Sequence, residues 1–512
     1  MDDALPCWAC KRRRVRCDFG RPSCSKCIAK GIECPGYSPM QPRRWTHYVS
    51  SPPHEDAKAS KTLGLQDWLG STTQRSVVVY RQPQAPCHML EGDVAPAATV
   101  LDVVVYYVEK IVPDLAPVQT WKLKFHFGID DWLGFDLATR HLYICVVALH
   151  KAVQRSPYLL DDKRSSTLDS HEMTMVHHHQ ACAARLLSDN ISTVSTSRPD
   201  QQLLRSIHMF LSSHIQQGAY TPWRSHLNGA HGLLALWGPK ACMGEGDFVY
   251  FMLMMTNVFG TTTTPSYLIT DEIMLQHRFY LEIIDDLKVD FMSSLTPIPP
   301  ALVKAVAKIN ILRATWRHWA DPLAHDPDPA EILSSLERFS CAAWAEAATS
   351  EHVDLSTQSC PLFQQDSSSL SWEMLVGSFR NAAILYLIIS TSGPRISSRG
   401  PLHANRKTAY LALQQSIDWL FEAKLAGGTH HKFIIWPMVI AGIEAVYARD
   451  ELHLRSLQNR LHGVTRDLGT LAMRDAAVFL GNLWDRSHGN ELRHPSYQCW
   501  DDIVSDSPLF LM

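Results

Sequence analysis

Six cysteines near the start constrain this chain more than any other feature. Cys7, Cys10, Cys17, Cys24, Cys27 and Cys34 read C-x2-C-x6-C-x6-C-x2-C-x6-C, and each member of the first triplet recurs seventeen residues later. The segment is therefore two copies of one loop-and-helix unit. So small a module cannot bury enough apolar surface to hold itself, so its cysteines must cross-link it, as disulfides or as metal ligands. The start, MDDALP, is acidic and lacks an apolar signal region. No apolar run approaches the roughly 18 residues that span a bilayer, and NAAILYLIIS at 381–390 has a buried-helix length. The expectation is a soluble intracellular protein with no membrane partner, in which a regular cysteine cluster binds metal.

Stoichiometry narrows the metal site further. One tetrahedral zinc takes four thiolates and two take eight, so six cysteines suffice for two zinc ions only when two of them bridge both. Six thiolates and two divalent ions leave a net charge of about −2, which nearby Lys and Arg can compensate. Metal binding would then supply the folding energy that the small core lacks.

The charge distribution says what such a module meets. The chain carries a formal net charge of −3, yet residues 1–44 hold ten Lys or Arg against four Asp or Glu. Only the N-terminus is made for a polyanion. Between the second and third cysteines lie Lys11, Arg12, Arg13, Arg14, Val15 and Arg16; the equivalent window of the second copy is Ile28, Ala29, Lys30, Gly31, Ile32 and Glu33. A short helix starting near Cys10 would aim the first set at a groove of double-stranded DNA, where Arg bonds guanine O6 and N7 bidentately. The second half is a poor groove reader, suited to packing and to phosphate contact through Lys26 or Lys30, and Arg43 and Arg44 add a further backbone contact. A solvated basic face explains less, because the charge sits on one half only; a nuclear import signal is compatible with DNA binding.

Residues 7–34 resemble the fungal Zn2Cys6 binuclear cluster of transcription factors, with Pro22 at the place of that family's inter-half proline. The resemblance implies that Cys7 and Cys24 bridge the ions. One zinc would be held by Cys7, Cys10, Cys17 and Cys24, the other by Cys7, Cys24, Cys27 and Cys34. It also implies a nuclear protein that binds a CGG triplet, with base contacts from Arg13 and Arg14.

From Pro35 the chain is dense in Pro and Ser without a sustained apolar period, which reads as a flexible linker. No run of heptads follows the cluster, so homodimer and monomer both stay open. The chain as a whole, with 46% hydrophobic and 19% charged residues, has a globular composition. Long helical patterns dominate from about Val100, with VLDVVVYYVEKIVPDL ending near Pro113; the Val-rich stretch 103–105 reads as helix in context, while 77–80 is undecided. The predicted organisation is a small Zn2Cys6 module (1–40), a linker (41–98) and a large all-α domain (99–512). YTPWRSHLNGAHGLLALWGP resembles the second type of fungal-specific transcription factor regulatory domain at Trp223, His226, Leu227, Gly229 and Ala230, and the likeness extends loosely to NLWDRSHGN and CWDDIV. Gly229, Ala230 and Gly232 are expected to let helices approach closely.

Catalytic patterns are weak, and the expectation is not an enzyme. HEMTM at 171–175 has Met175 where H-e-x-x-H needs its second His, and no G-x-S-x-G or phosphate loop occurs. His177, His178 and His179 diverge around a helix by about 100° per residue, too far apart to share one ion. His226 reads as a satisfied structural group. The seven scattered cysteines read as core filler. CWDDIVSDSPLFLM mixes acids with bulky apolar residues as activation segments do, but reads better as a packed end of the helical domain. The leading function is a sequence-specific transcription factor engaging the transcription machinery, and the resemblance implies regulation of a pathway such as a secondary-metabolite gene cluster. The alternative is a zinc-cluster protein-interaction scaffold without DNA readout.

Overall fold

The computed structural model describes residues 10, 17–18, 24–30, 94–115, 127–155, 171–194, 200–218, 223–238, 247–287, 297–315, 327–356, 369–392, 401–425, 428–488 and 500–504. The chain divides into two units, Met1–Gly64 and Leu65–Met512. The first contributes one short helix, α1 (Ser25–Ile28). The second is helical throughout its described residues, with no strand. Its elements are α2 (Ala97–Tyr106), α3 (Val112–Leu115), α4 (Ile129–Gly134), α5 (Leu137–Arg155), α6 (His171–Ser192), α7 (Gln201–Gln216), α8 (Trp223–Trp237), α9 (Asp247–Thr262) and α10 (Asp271–Ile283). There follow α11 (Pro300–Thr315), α12 (Pro329–Arg338), α13 (Cys341–Ser356), α14 (Ser369–Ser392), α15 (Pro401–Leu425), α16 (Ile435–Ala448), α17 (Glu451–Leu468), α18 (Ala472–His488) and α19 (Trp500–Val504).

Local chemistry sets many of these boundaries. Asp200, Thr270, Asp328 and Asp450 each accept a backbone N–H of the first turn that follows, and Pro329 opens α12 where its missing donor is harmless. Gly469 ends α17 in the left-handed region at φ 59°, a conformation that a residue without a Cβ adopts freely. The expected end near Pro113 is not an end. A π turn at Tyr107–Ile111, in which the Val112 N–H bonds the Tyr107 carbonyl, carries the helix past the proline to Leu115. A proline cannot join a regular ladder, and one widened turn before it relieves the conflict. The valines at 103–105 lie in α2, as their context predicts, while 77–80 lies outside the described residues. Among the described residues, Val94 and Ala95 are already packed into the apolar core.

The core centres on α14, which packs against α11, α12, α13, α15 and α16. It is longer and more apolar than its central stretch at 381–390 implied: Ser369–Thr391 is 23 residues and apolar enough to cross a bilayer by length and composition, but 78% of its apolar window is buried inside the domain. Trp372, Phe379, Tyr386 and Ile389 are among its buried side chains. The small-residue expectation needs correcting. Gly229 and Gly232 face open space, and of these three small residues only Ala230 is buried. Close approach occurs instead at Gly260 of α9, where an added Cβ would lie 2.3 Å from the Trp223 indole, and at Gly442 of α16, where it would lie 2.5 Å from Leu480.

Two predictions follow from this packing. Gly260→Ala pushes a methyl into the Trp223 ring and is expected to cost about 1–3 kcal/mol in chemical denaturation. Burial also lowers the pKa of His179, His208 and His430 to about 4 from an ordinary 6.5. The unfolded chain takes up these protons first as pH falls, so stability is lost progressively from about pH 6.5 down to about 4. A melting temperature that stays level over that window contradicts this assignment.

Candidate metal centre

The thiols converge as a metal site requires. Cys24 precedes α1 in an extended conformation, and the N–H groups of Cys27 and Ile28 bond its carbonyl at 3.0 and 3.1 Å. That single turn places Cys24 and Cys27 on one side, and both are fully buried. Cys10, Cys17 and Cys24 bring their sulfurs within 4.8 Å of one another, with Cys10 and Cys24 3.6 Å apart. A disulfide would hold two sulfurs at about 2.0 Å, whereas thiolates around one tetrahedral zinc stand about 3.8 Å apart. The donor set therefore fits a soft divalent ion. Cys7 and Cys34 lie outside the described residues, as do Lys11, Arg12, Arg13, Arg14 and Arg16.

Asp18, directly after Cys17, ties the two halves together. Both its carboxylate oxygens accept the Ser25 N–H at 3.1 Å, which satisfies an otherwise open donor at the start of α1. Hydrogen bonding from Ser25 holds its carboxyl below the usual range. Lys26 and Lys30 lie on the exposed side of this turn with Ile28, as an outward basic surface requires.

The helical domain keeps most other candidates in structural roles. His177 and His178 are exposed and His179 is buried, so the three do diverge. His179 meets His141, Nδ1 to Nδ1 at 2.7 Å. Met175 packs beside the apolar core. His226 meets the Phe210 ring edge-on at 4.9 Å and the His214 ring at a tilt at 4.6 Å, but its buried Nε2 has no hydrogen-bond partner among the described residues, so it is less satisfied than expected. Cys145 and Cys341 are buried fillers, and Cys182 is half-buried. Among the described residues, Cys10, Cys17 and Cys24 form the one group of three or more ligands arranged for a metal. The small cavity lined by His231, Tyr250, Gln276 and Tyr280 has about 20 Å³ of free space, enough for a water.

A polar centre in this domain was not singled out from the sequence. Around GTTTTP at 260–265, Arg313 donates to the carbonyls of Thr261, Thr262 and Thr264 at 3.2, 3.2 and 2.9 Å, to Tyr386 Oη at 2.8 Å and to Asp501 at 2.9 Å. Trp500 Nε1 donates to the Thr262 carbonyl at 2.7 Å. Asp501 also accepts from the Ser266 N–H and hydroxyl. With Ile503 and Val504 buried, WDDIV is a packed segment. The available signal was four threonines before a proline, at the end of an otherwise apolar helix.

Removing the Asp18 acceptor is expected to loosen the cluster. Asp18→Ala should lower zinc retention against a competing chelator. Unchanged zinc retention would show that Asp18 does not support the site.

Comparison with known proteins places both units. Residues 5–44 match the fungal Zn(2)-Cys(6) binuclear cluster domain and residues 103–512 match the fungal specific transcription factor domain. The phomenoic acid biosynthesis cluster-specific transcriptional regulator of Leptosphaeria maculans is 25% identical, over 93% of this chain and 85% of its own length. The aspercryptin biosynthesis cluster-specific transcription regulator of Emericella nidulans is 39% identical over 11% of this chain and 9% of its own. The pestheic acid cluster transcriptional regulator 3 of Pestalotiopsis fici is 34% identical over 15% of this chain and 12% of its own. No solved structure matches the chain.

Proposed function

Since the chain belongs to the fungal transcription factors that join a Zn(2)-Cys(6) cluster binding two zinc ions to a helical domain, we propose that it is a nuclear, pathway-specific regulator of a secondary-metabolite biosynthetic gene cluster, acting on RNA polymerase II transcription at CGG-type sites. The observation that carries this reading is the likeness to a biosynthesis cluster-specific regulator over 93% of the chain.

In this reading Cys7 and Cys24 bridge the two ions, Cys10 and Cys17 complete one site, and Cys27 and Cys34 complete the other. The proximity of the Cys10, Cys17 and Cys24 sulfurs supports the first of these sets. Zinc supplies the charge and geometry that lock the two halves; the residues around it do the recognition. Arg13 and Arg14 read guanine edges in the major groove through bidentate bonds, while Lys11, Arg12, Arg16, Lys26 and Lys30 hold the phosphates and set the register. Lys26 and Lys30 are exposed as that role requires. A homodimer would read two triplets and a monomer one.

Arg14→Ala is expected to weaken binding to a CGG-containing duplex by about 1–3 kcal/mol and to relax preference at the contacted base pair, read by mobility shift against a scrambled duplex. Equal binding by wild type and variant to both duplexes overturns the assignment. The scaffold alternative predicts that a chelator leaves DNA affinity unchanged; the present reading predicts its loss.

A further inference from the structure

Guanidinium groups drawn into the helical domain differ in how their charge is met. Arg406 is held by the Glu444 carboxylate, with Nε donating at 2.8 and 2.9 Å and Nη2 at 2.7 Å. Arg313 has Asp501 at 2.9 Å. Arg224, at the start of α8, donates to Asn257 Oδ1 at 2.8 Å, Thr261 Oγ1 at 3.2 Å and Thr264 Oγ1 at 2.8 Å, every one of them neutral.

The cradle around Arg224 is rigid. Asn257 and Thr261 are fully buried. Asn257 spends its own donors on Gln276 and Tyr280 at 2.7 and 3.0 Å, and Thr261 donates to the Asn257 carbonyl at 2.7 Å. The Trp223 ring lies 4.2 Å from the guanidinium carbon and is itself wedged against Gly260. Among the described residues no carboxylate forms an ion pair with Arg224. Burial lowers its pKa to about 9, which leaves it a cation at neutral pH. The residue as a whole is half-buried.

A fixed cation with neutral neighbours is destabilising unless something outside the chain supplies the counter-charge. We propose that Arg224 is the anchor of a binding site for a small organic monocarboxylate, whose carboxylate takes the place that Glu444 and Asp501 take at the other two arginines. The single guanidinium charge, with no second Lys or Arg bonded into the cradle among the described residues, balances a monoanion and leaves a phosphate dianion half unpaired. The planar guanidinium matches carboxylate geometry. Because Arg224 belongs to α8 and its partners to α9, an acid bound there would clamp these two helices together. The inference concerns the helical domain alone and stands apart from the DNA reading above.

Thermal unfolding of the full chain tests it, with acetate and benzoate as probes and sodium chloride at equal ionic strength as control. Wild type is expected to gain a saturable rise of about 2 °C with a carboxylate and none with chloride. Arg224→Gln should abolish the response, and Arg224→Lys, which keeps the charge without the planar fork, should weaken it several-fold. Asn257→Asp builds a carboxylate beside Arg224; it should abolish the response even where the Arg224 variants fold poorly. No saturable rise in wild type, an equal rise in Arg224→Gln or Asn257→Asp, or a larger rise with inorganic phosphate overturns the proposal.

Discussion

The helical domain depends on how one buried helix end is neutralised. Helix α9 stops in the interior at Thr261–Thr264, where unpaired carbonyls and the negative end of the helix dipole would be costly without donors. Arg313 supplies those donors from α11, and Trp500 adds one from α19. Arg313 also donates to Tyr386 of α14, whose hydroxyl donates to Asn310 at 2.6 Å, and Asn310 donates to His277 of α10 at 3.1 Å. One cation thus joins five helices through bonds that each have a direction. Apolar contacts alone tolerate sliding, whereas a buried hydrogen-bonded network accepts one register.

The two units reach stability by opposite means. In the first, thiols gather where a hydrophobic core would otherwise be, and the four described cysteines are all buried. Metal affinity there is folding free energy. In the second, a long apolar helix at the centre organises the rest, and the interior guanidiniums of Arg313 and Arg406 are paired with carboxylates, although buried atoms such as His226 Nε2 have no partner among the described residues. The contrast matters because the two units respond to different conditions: one to metal supply, the other to acid.

Much of this was legible from residue spacing alone. The cysteine repeat identified a metal module because ligand geometry translates directly into sequence intervals. Helical class was legible because amphipathic periodicity survives in α5, α7 and α17. The helix running past Pro113 was not, since a π turn leaves no pattern in the residues that form it. The role given to Gly229 and Gly232 was misplaced for a related reason: a small residue permits close approach, but tertiary packing decides which glycine meets a neighbour, and here Gly260 does. The Arg313 centre was hidden because its members come from distant parts of the chain and no short interval joins them. Asp501 stands 188 residues from Arg313.

That separation has a temporal side. Trp500 and Asp501 complete the cap on α9, yet they are synthesised after every other described helix. A domain that folds as its chain emerges can form the metal module early, since its ligands are close together near the start. The helical domain must wait with an open helix end until its last segment arrives. A chain that stops short of α19 would then present a competent nucleic-acid binding module attached to an unfinished regulatory body.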